Sequence, residues 1–403
     1  MNILVINSGS SSIKFQLINM KNRKVLAKGL VERIGLDGSK LKYYRGDSEK
    51  IEDVIEINDH EGGIDLIVKY LTSDLLGVIK DIKDIYAVGH RVVHAGEKFK
   101  STVLIDETVM ETLKECIPLA PLHNPANIIG IEATMRKLPG IPMAGIFDTA
   151  FHQTMPERAY IYPLPYDLYE KDKIRRYGFH GTSHFFVAKN GAKYIGKSMK
   201  ELKIITCHLG NGSSVAAIEH GKSIDTSMGF TPLEGLMMGT RSGDVDPAIP
   251  LYLQRNKKMT FIDVDTLLNK KSGILGVSGI SSDMRDIEEA VKKGNKRARL
   301  SLEIFTYRVK KYIGAYITAM NGADLIIFTA GIGENGPIER EMILKDMDFI
   351  GIKLDKKKND KIFKGKKGII SANDSKIKVI VYPTNEELEI AEQTLEIIKN
   401  SKK

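Results

Sequence analysis

Cysteine is scarce in this chain of 403 residues, which has only Cys116 and Cys207. Two cysteines without metal-ligand spacing make neither a disulfide framework nor a thiolate metal site, so both read as packing residues compatible with a reducing compartment. Long apolar runs are also missing. No segment approaches the roughly 20 residues needed to span a bilayer. The chain opens on a strand-like run instead of a charged region followed by an apolar core, so the expectation is a cytoplasmic protein with no membrane contact. Charge of one sign is not concentrated either. Lysine and arginine number 60 against 51 acidic residues, a net of +9, but much of the excess sits in Lys356-Lys357-Lys358, Lys364, Lys366-Lys367 and Lys402-Lys403. With no aromatic interleaving and no nucleic-acid motif, these clusters read as a solvated face and nucleic acid is not an expected partner. At 28% charged and 42% hydrophobic the composition is that of a folded globular protein, and the length predicts two domains.

Small-residue turns set between apolar runs are what the chain does have. The first is Asn2-Ile3-Leu4-Val5-Ile6-Asn7-Ser8-Gly9-Ser10-Ser11-Ser12-Ile13-Lys14-Phe15. The run 3–6 suits a strand buried on both faces, and 7–12 contains only Asn, Ser and Gly, which turn tightly and supply donors without bulk. Ile13, Phe15 and Leu17 resume with period two, placing Lys14 on the other face. A lysine beside such a turn suggests phosphate; taken alone, an ordinary Ser-Gly hairpin reads the same way.

The second half repeats the opening. Ile204-Ile205-Thr206-Cys207 leads into His208-Leu209-Gly210-Asn211-Gly212-Ser213-Ser214 and a further strand. Around these the periodicity predicts strands at 25–31, 85–93, 141–147, 325–329 and 377–381. It predicts helices at 64–76, 108–117, 126–138, 287–320, after Pro337, and from about Glu386. Two halves that each begin strand, turn, strand, strand imply an internal duplication, α/β in class. The pattern resembles the actin, sugar-kinase and Hsp70 ATPase superfamily. That resemblance implies two duplicated actin-like (ribonuclease H-like) domains, each a mixed sheet flanked by helices, with a cleft between that holds a polyphosphate. Met155-Pro156 and Pro163-Leu164-Pro165 make a rigid crossing, so the first boundary is set near Ala150. By resemblance the terminal helix returns to the first domain, giving 1–150 plus 385–403 and 151–384.

Two familiar loops need separating from this frame. Residues 216–223 end Gly221-Lys222-Ser223 but carry Ala216 where a Walker loop has glycine, and they sit between short strands, so no P-loop is expected. Gly331-Ile332-Gly333-Glu334-Asn335-Gly336 matches the Rossmann glycine pattern and keeps a dinucleotide-binding oxidoreductase open. It stands late in the chain, however, and leaves both earlier turns unexplained.

Four side chains are placed for chemistry. Arg91, in Gly89-His90-Arg91-Val92-Val93-His94-Ala95-Gly96, falls at the C-terminal end of a parallel-type strand, where open α/β sheets hold their ligands. Asp148 ends the next apolar strand, as a turn cap or a catalytic carboxylate. His180 and Arg241 lie in glycine-flanked segments that let another group approach the backbone. The pairs His90/His94 and His180/His184 have four-residue spacing, but without a His-Glu-x-x-His form they read as packing or supporting histidines more than as zinc ligands. His123 stays ambiguous.

Residues 4–14 together with 89–96 resemble the two signature segments of the acetate kinase family, and the segments around His123, Asp148, His180, His208, Arg241, Asp283, Gly331 and Glu386 follow in the family's order across essentially the whole chain. Ala95, where glycine is frequent, is a small departure. The resemblance implies reversible transfer of the ATP γ-phosphoryl to acetate, giving acetyl phosphate and ADP, in a cytoplasmic homodimer. It implies Asp148, His180, Arg241 and Arg91 as catalytic, and Arg91, Val93, Leu122 and Pro232 as the acetate pocket. Lys14, His208, Leu209, Gly210, Asn211, Gly212, Asp283, Met284, Arg285, Gly331, Ile332, Gly333, Glu334 and Asn335 are implied for the nucleotide. Asn7 and Glu386 are implied for Mg2+, or Mn2+ in its place. The chemistry agrees with these residue types. A carboxylate nucleophile needs no deprotonation, so positioning and charge stabilisation should carry an in-line transfer, with Asp148 orienting an arginine or the acetate. The other readings are a propionate or other short-chain acyl kinase, the oxidoreductase, and a noncatalytic ATPase switch.

Overall fold

In the computed structural model, which describes residues 1–46, 50–121 and 123–401, the chain divides into two compact units. One is Met1–Phe151 with Asn385–Lys403, the other His152–Thr384.

The first unit is built on a mixed sheet of β1 (Asn2–Gly9), β2 (Ser12–Asn19), β3 (Lys24–Glu32), β4 (Lys40–Arg45), β5 (Lys50–Val54), β6 (Ile85–Val92), β7 (Val103–Leu104) and β8 (Met143–Phe147), in the order β5-β4-β3-β2-β1-β6-β8-β7. β1 pairs antiparallel with β2 and parallel with β6, which is parallel to β8. Alternation along the strands sorts side chains to two faces. Leu4, Ile6, Ile13, Phe15, Leu17 and Val88 pack in one buried cluster with Ile64 and Ile67 of α1 (His60–Leu71) and Ala133 of α3 (Asn124–Lys137), with α2 (Glu107–Glu115) beside α3. Ile3, Val5, Ala87 and Ile146 pack against Ile390, Ala391 and Ile398 of the terminal helix Glu386–Ser401.

Three expectations are corrected here. The turn between β1 and β2 is only Ser10 and Ser11, because Asn7, Ser8 and Gly9 continue the ladder opposite Lys14, Ile13 and Ser12. α1 starts earlier and stops earlier than 64–76. Asp59 caps it by accepting from the Gly62 amide at 2.8 Å, and the Ser73 hydroxyl accepts from the amides of Leu75 and Leu76, so local turn chemistry ends the helix inside an apolar pattern. β4 and β5 were not anticipated. They lie at one side of the sheet, β5 at its edge, where Lys40 and Lys42 pair with Glu52 and Glu32 of neighbouring strands and Lys50 with Glu52 of its own strand, so charge masks their alternation.

The second unit repeats the plan. β9 (Lys203–Leu209), β10 (Ser213–Glu219), β11 (Lys222–Thr226), β12 (Leu325–Thr329), β13 (Gly368–Ile369) and β14 (Lys378–Val381) lie in the order β11-β10-β9-β12-β14-β13. An antiparallel triplet again feeds a parallel trio, β9-β12-β14 matching β1-β6-β8. The helices Lys296–Ala319 and Gly181–Tyr194 pack on this sheet. Residues 216–223 are the β10–β11 hairpin. Residues 331–336, expected as a strand-to-helix loop, instead lie largely within a short helix, Ala330–Asn335. Its fold is held from inside: the Glu334 carboxylate accepts from the Ala330 amide at 2.8 Å, and the Asn335 amide donates to the Gly331 carbonyl at 2.9 Å.

The terminal helix can lie close on β6 because residue 89 is glycine. A Cβ there would stand 2.4 Å from Thr394 Oγ1 and 2.8 Å from Ile390 Cγ2. Gly89→Ala is expected to destabilise the protein by about 1–3 kcal/mol through overpacking, read as a lower urea midpoint at an unchanged slope. An unchanged midpoint would mean that this packing carries no stability.

Candidate active site

At the C-terminal ends of β6 and β8, Arg91 and Asp148 are brought side by side. Arg91 Nε donates to Asp148 Oδ1 at 3.2 Å and Nη2 to Oδ2 at 2.5 Å, a bidentate pair in which the carboxylate is buried. The remaining guanidinium nitrogen, Nη1, donates to Asn7 Oδ1 at 3.3 Å, so β1 joins the group. Asp148 holds Arg91 firmly protonated against the cost of burial, with Glu386 and Glu387 adding to the effect. Glu386 opens the terminal helix. Burial raises its carboxyl to about 7 in spite of the Arg91 charge, with Asp148 and Glu387 pushing the same way.

Lys14 lies opposite Asn7 in the β1–β2 register and forms an ion pair with Glu387. It therefore sits with Asn7 and Glu386 in the first unit, while the other residues assigned to the nucleotide are in the second. Val93 is buried, with its amide donating to Asn127 Oδ1 at 3.0 Å. Leu122 lies outside the described residues.

In the second unit the β9–β10 turn, His180 and Arg241 converge. A Cβ on Gly212 would stand 3.5 Å from Arg241 Nη1 and 3.5 Å from His180 Nε2. Arg241 arrives on a loop that passes hard against the turn. The Gly239 amide donates to the Asn211 carbonyl at 2.9 Å, and a Cβ at 239 would lie 1.8 Å from Asn211 Oδ1, so a side chain there would displace the Asn211 amide. Arg241 has no carboxylate within ion-pair distance among the described residues. Its Nη1 reaches the Pro232 carbonyl at 3.4 Å and Met238 Sδ at 3.8 Å, and burial lowers its pKa. A half-buried cation with no counter-ion in reach has the chemistry to receive an anion.

The remaining candidates divide by what their side chains do. Gly210 and Gly212 close the turn, the Gly210 amide donating to the Gly212 carbonyl at 3.2 Å. The side chains of Leu209 and Met284 are in the hydrophobic core, so any contact they make with a ligand is through backbone. Asp283 caps the helix Met284–Lys292 and pairs with exposed Arg285, which lowers its pKa. Gly331, Ile332, Gly333, Glu334 and Asn335 belong to the short helix after β12, tied down by buried Arg340 through a 2.8 Å bond from Nη1 to the Gly333 carbonyl.

A family model described as the Acetokinase family matches residues 2–392. Over 400 residues the chain is 59% identical to the acetate kinase of Thermotoga maritima, covering 99% of each. The chain belongs to the acetokinase family. Its fold is similar to the crystal structure of Porphyromonas gingivalis acetate kinase, with a TM-score of 0.96 at 50% identity, covering 98% of this chain and 99% of that one. It is also similar to a propionate kinase from Francisella tularensis, with a TM-score of 0.91 at 41% identity and the same coverage.

A hard divalent cation requires oxygen donors. The Asn7 amide oxygen and the Glu386 carboxylate are oxygen donors, and Glu386 retains a proton near neutrality that a cation would displace. The set fits Mg2+, which keeps much of its shell as water.

Several supporting groups were not singled out from sequence. Ser214, Thr206, Ser183 and Thr384 bond the ring nitrogens of the histidine cluster or each other. Hydroxyl residues of strands carry no motif, so no pattern marks them; the four-residue spacing of His180 and His184 was the available signal.

The Glu386 carboxyl makes a pH prediction. Its folded value of about 7 exceeds the ordinary 4.5, so the folded protein holds the extra proton, and the stability this contributes is complete below 4.5 and lost as pH rises through 7. Glu386→Gln is expected to raise the melting temperature of the cation-free protein more at pH 8 than at pH 5. Equal shifts at both would contradict the assignment.

Proposed function

We propose that the chain is an acetate kinase, transferring the γ-phosphoryl of ATP reversibly to acetate to give acetyl phosphate and ADP. The observation that carries this reading is Arg241, half-buried and without a counter-ion among the described residues, beside His180 and the glycine turn. Phosphoryl transfer spreads charge over the equatorial oxygens of the transferred group. Preset donors in a poorly hydrated site stabilise that charge without reorganising.

The acetate carboxylate is already ionised, so no general base has to act on it. Arg91 grips the acetate, and Asp148 holds the guanidinium plane in orientation through both of its oxygens. Arg241 and His180 donate to the transferring phosphoryl oxygens, and the 208–212 turn, Asp283, Met284, Arg285 and the 331–335 helix hold the nucleotide, with Lys14 directed to its phosphates. Asn7 and Glu386 would hold Mg2+, with Mn2+ as a substitute, and the ion would supply positive charge against the phosphates. Val93, Leu122 and Pro232 are assigned to the acetate methyl.

The same assignments make residues 1–150 with 385–403 the acetate domain and 151–384 the nucleotide domain. A cytoplasmic homodimer is part of the proposal. Two buried free cysteines support the compartment. Exposed Leu251, Tyr252, Phe261 and Ile262 on neighbouring helices support self-association.

The likeness to a propionate kinase favours a second reading, a short-chain acyl kinase that takes propionate as well as acetate. One methylene is worth only about 1–3 kcal/mol in an apolar pocket. With acetate, propionate, butyrate or no acid, Mg2+-dependent ADP formation and hydroxylamine trapping of the acyl phosphate are expected to show strong acetate dependence, with propionate weaker by roughly 10- to 200-fold. Propionate above acetate would select the second reading, and ADP release without acid would indicate an ATPase.

Arg241→Ala is expected to lower kcat by about a thousandfold with a smaller effect on nucleotide KM. Arg91→Ala is expected to raise acetate KM as well. Full turnover with unchanged acetate saturation in Arg91→Ala would remove Arg91 from this role.

A further inference from the structure

His180 caps the helix Gly181–Tyr194 in a left-handed backbone conformation, φ 57°. Its ring presents Nε2 toward the Gly212 turn and Nδ1 toward Ser214 Oγ, at 2.9 Å. The same hydroxyl lies 2.7 Å from Nε2 of His184, one helical turn on, and Nδ1 of His184 lies 2.7 Å from Thr206 Oγ1. Thr206, His184 and Ser214 are all buried. Burial lowers the His184 pKa far below the usual imidazole value, with His152 and His208 acting in the same direction, so His184 is neutral and carries one ring proton. Three bonds in series can then run in either direction, and the one mixed arrangement, with His184 Nε2–H and His180 Nδ1–H both donating to Ser214, leaves the Ser214 hydroxyl proton without an acceptor.

If the proton of His184 is on Nε2, every donor finds an acceptor. Thr206 donates to His184 Nδ1, His184 Nε2–H donates to Ser214, and Ser214 donates to His180 Nδ1. His180 Nδ1 is then an acceptor, and neutral His180 must carry its proton on Nε2. In the reverse direction His180 Nδ1–H donates to Ser214, Ser214 to His184 Nε2, and His184 Nδ1–H to Thr206. The Thr206 hydroxyl proton is left over. Thr206 Oγ1 has no side-chain bond besides His184 among the described residues, so the reverse chain strands a buried donor and bears its full desolvation cost.

We propose that Thr206, through His184 and Ser214, positions the ring proton of His180 on Nε2, so that neutral His180 is a hydrogen-bond donor on the side facing the Gly212 turn. The inference rests on the phosphoryl-transfer reading for why a donor is needed there, but the tautomer itself can be observed without turnover. Among the described residues, the charged and titratable groups that face His180 include His208, stacked at 4.1 Å between ring centroids on β9, His184 on its own helix, and Arg241 across the turn. With a permanent guanidinium and a second imidazole so near, an approaching anion meets a donor from neutral His180 without a second ring proton having to bind. The relay supplies this by tautomer instead of charge.

The test is long-range 1H–15N correlation of histidine-labelled full-length protein near pH 8, with His180 assigned from the spectrum of His180→Gln. The expected wild-type pattern is a protonated Nε2 and bare Nδ1 at His180. An Nδ1–H tautomer there would overturn the proposal even if neither relay variant folded. Thr206→Val keeps the strand volume and removes the terminal donor, and Ser214→Ala cuts the middle link. Both are expected to shift or mix the His180 tautomer and to lower kcat at pH 8 by roughly a hundredfold, with nucleotide KM little changed. Lowering the pH should restore much of that loss, because a doubly protonated His180 carries the Nε2 proton whatever its neutral tautomer. Wild type should show no such recovery, and Ser214→Thr, which keeps the hydroxyl, should retain activity. Variants with an unshifted tautomer and a pH profile parallel to wild type would sink the relay. The Nε2–H tautomer without acetate-dependent turnover would leave the relay standing and remove the acetate kinase reading.

Discussion

A guanidinium taken out of water must find compensation, and this chain treats its two central arginines in opposite ways. Arg91 is neutralised in place, both of its outer nitrogens used by protein oxygens and its plane set by a buried aspartate. Arg241 has no anionic partner among the described residues, and burial lowers its pKa. The difference suits two tasks. A paired, oriented arginine presents a defined edge to a carboxylate that resembles the one already bound to it. An unpaired one keeps its electrostatic potential for charge that appears only during reaction. Its loop also packs closely on the 208–212 turn, where residue 239 is glycine.

Histidine serves the site mainly through hydrogen-bond direction. Nine histidines in 403 residues include a cluster, His180, His184 and His208, whose ring nitrogens are bonded by Ser214, Thr206 and Ser183. A hydroxyl has one proton and can accept as well, so it transmits orientation from one ring to the next. Such chains need burial, since water would supply either partner and erase the direction.

Much of this was legible beforehand. Apolar runs at 3–6, 204–207 and 325–329 are strands, the glycine turn at 210–212 follows the second, and the two halves share one strand order. Arg91 and Asp148 were placed at strand ends because an apolar run closes just before each. What escaped was set by context. β4 and β5 carry too much charge to show alternation. α1 stops at Leu71 because Ser73 competes for the backbone, and residues 331–335 coil because the side chains of Glu334 and Asn335 bond back to their own helix.

By itself, the sequence determined the family, the duplicated strand order and the residues with reactive side chains, because each depends on residue type and spacing along the chain. Tertiary structure alone decided that Arg91 is paired and Arg241 is not, that Met284 and Leu209 turn into the core, and that Thr206 ends a chain of bonds reaching His180. Partnership, burial and proton direction depend on which atoms fold brings within 3 Å or so of each other. Residues 57 apart, as Arg91 and Asp148 are, carry no local mark of that distance.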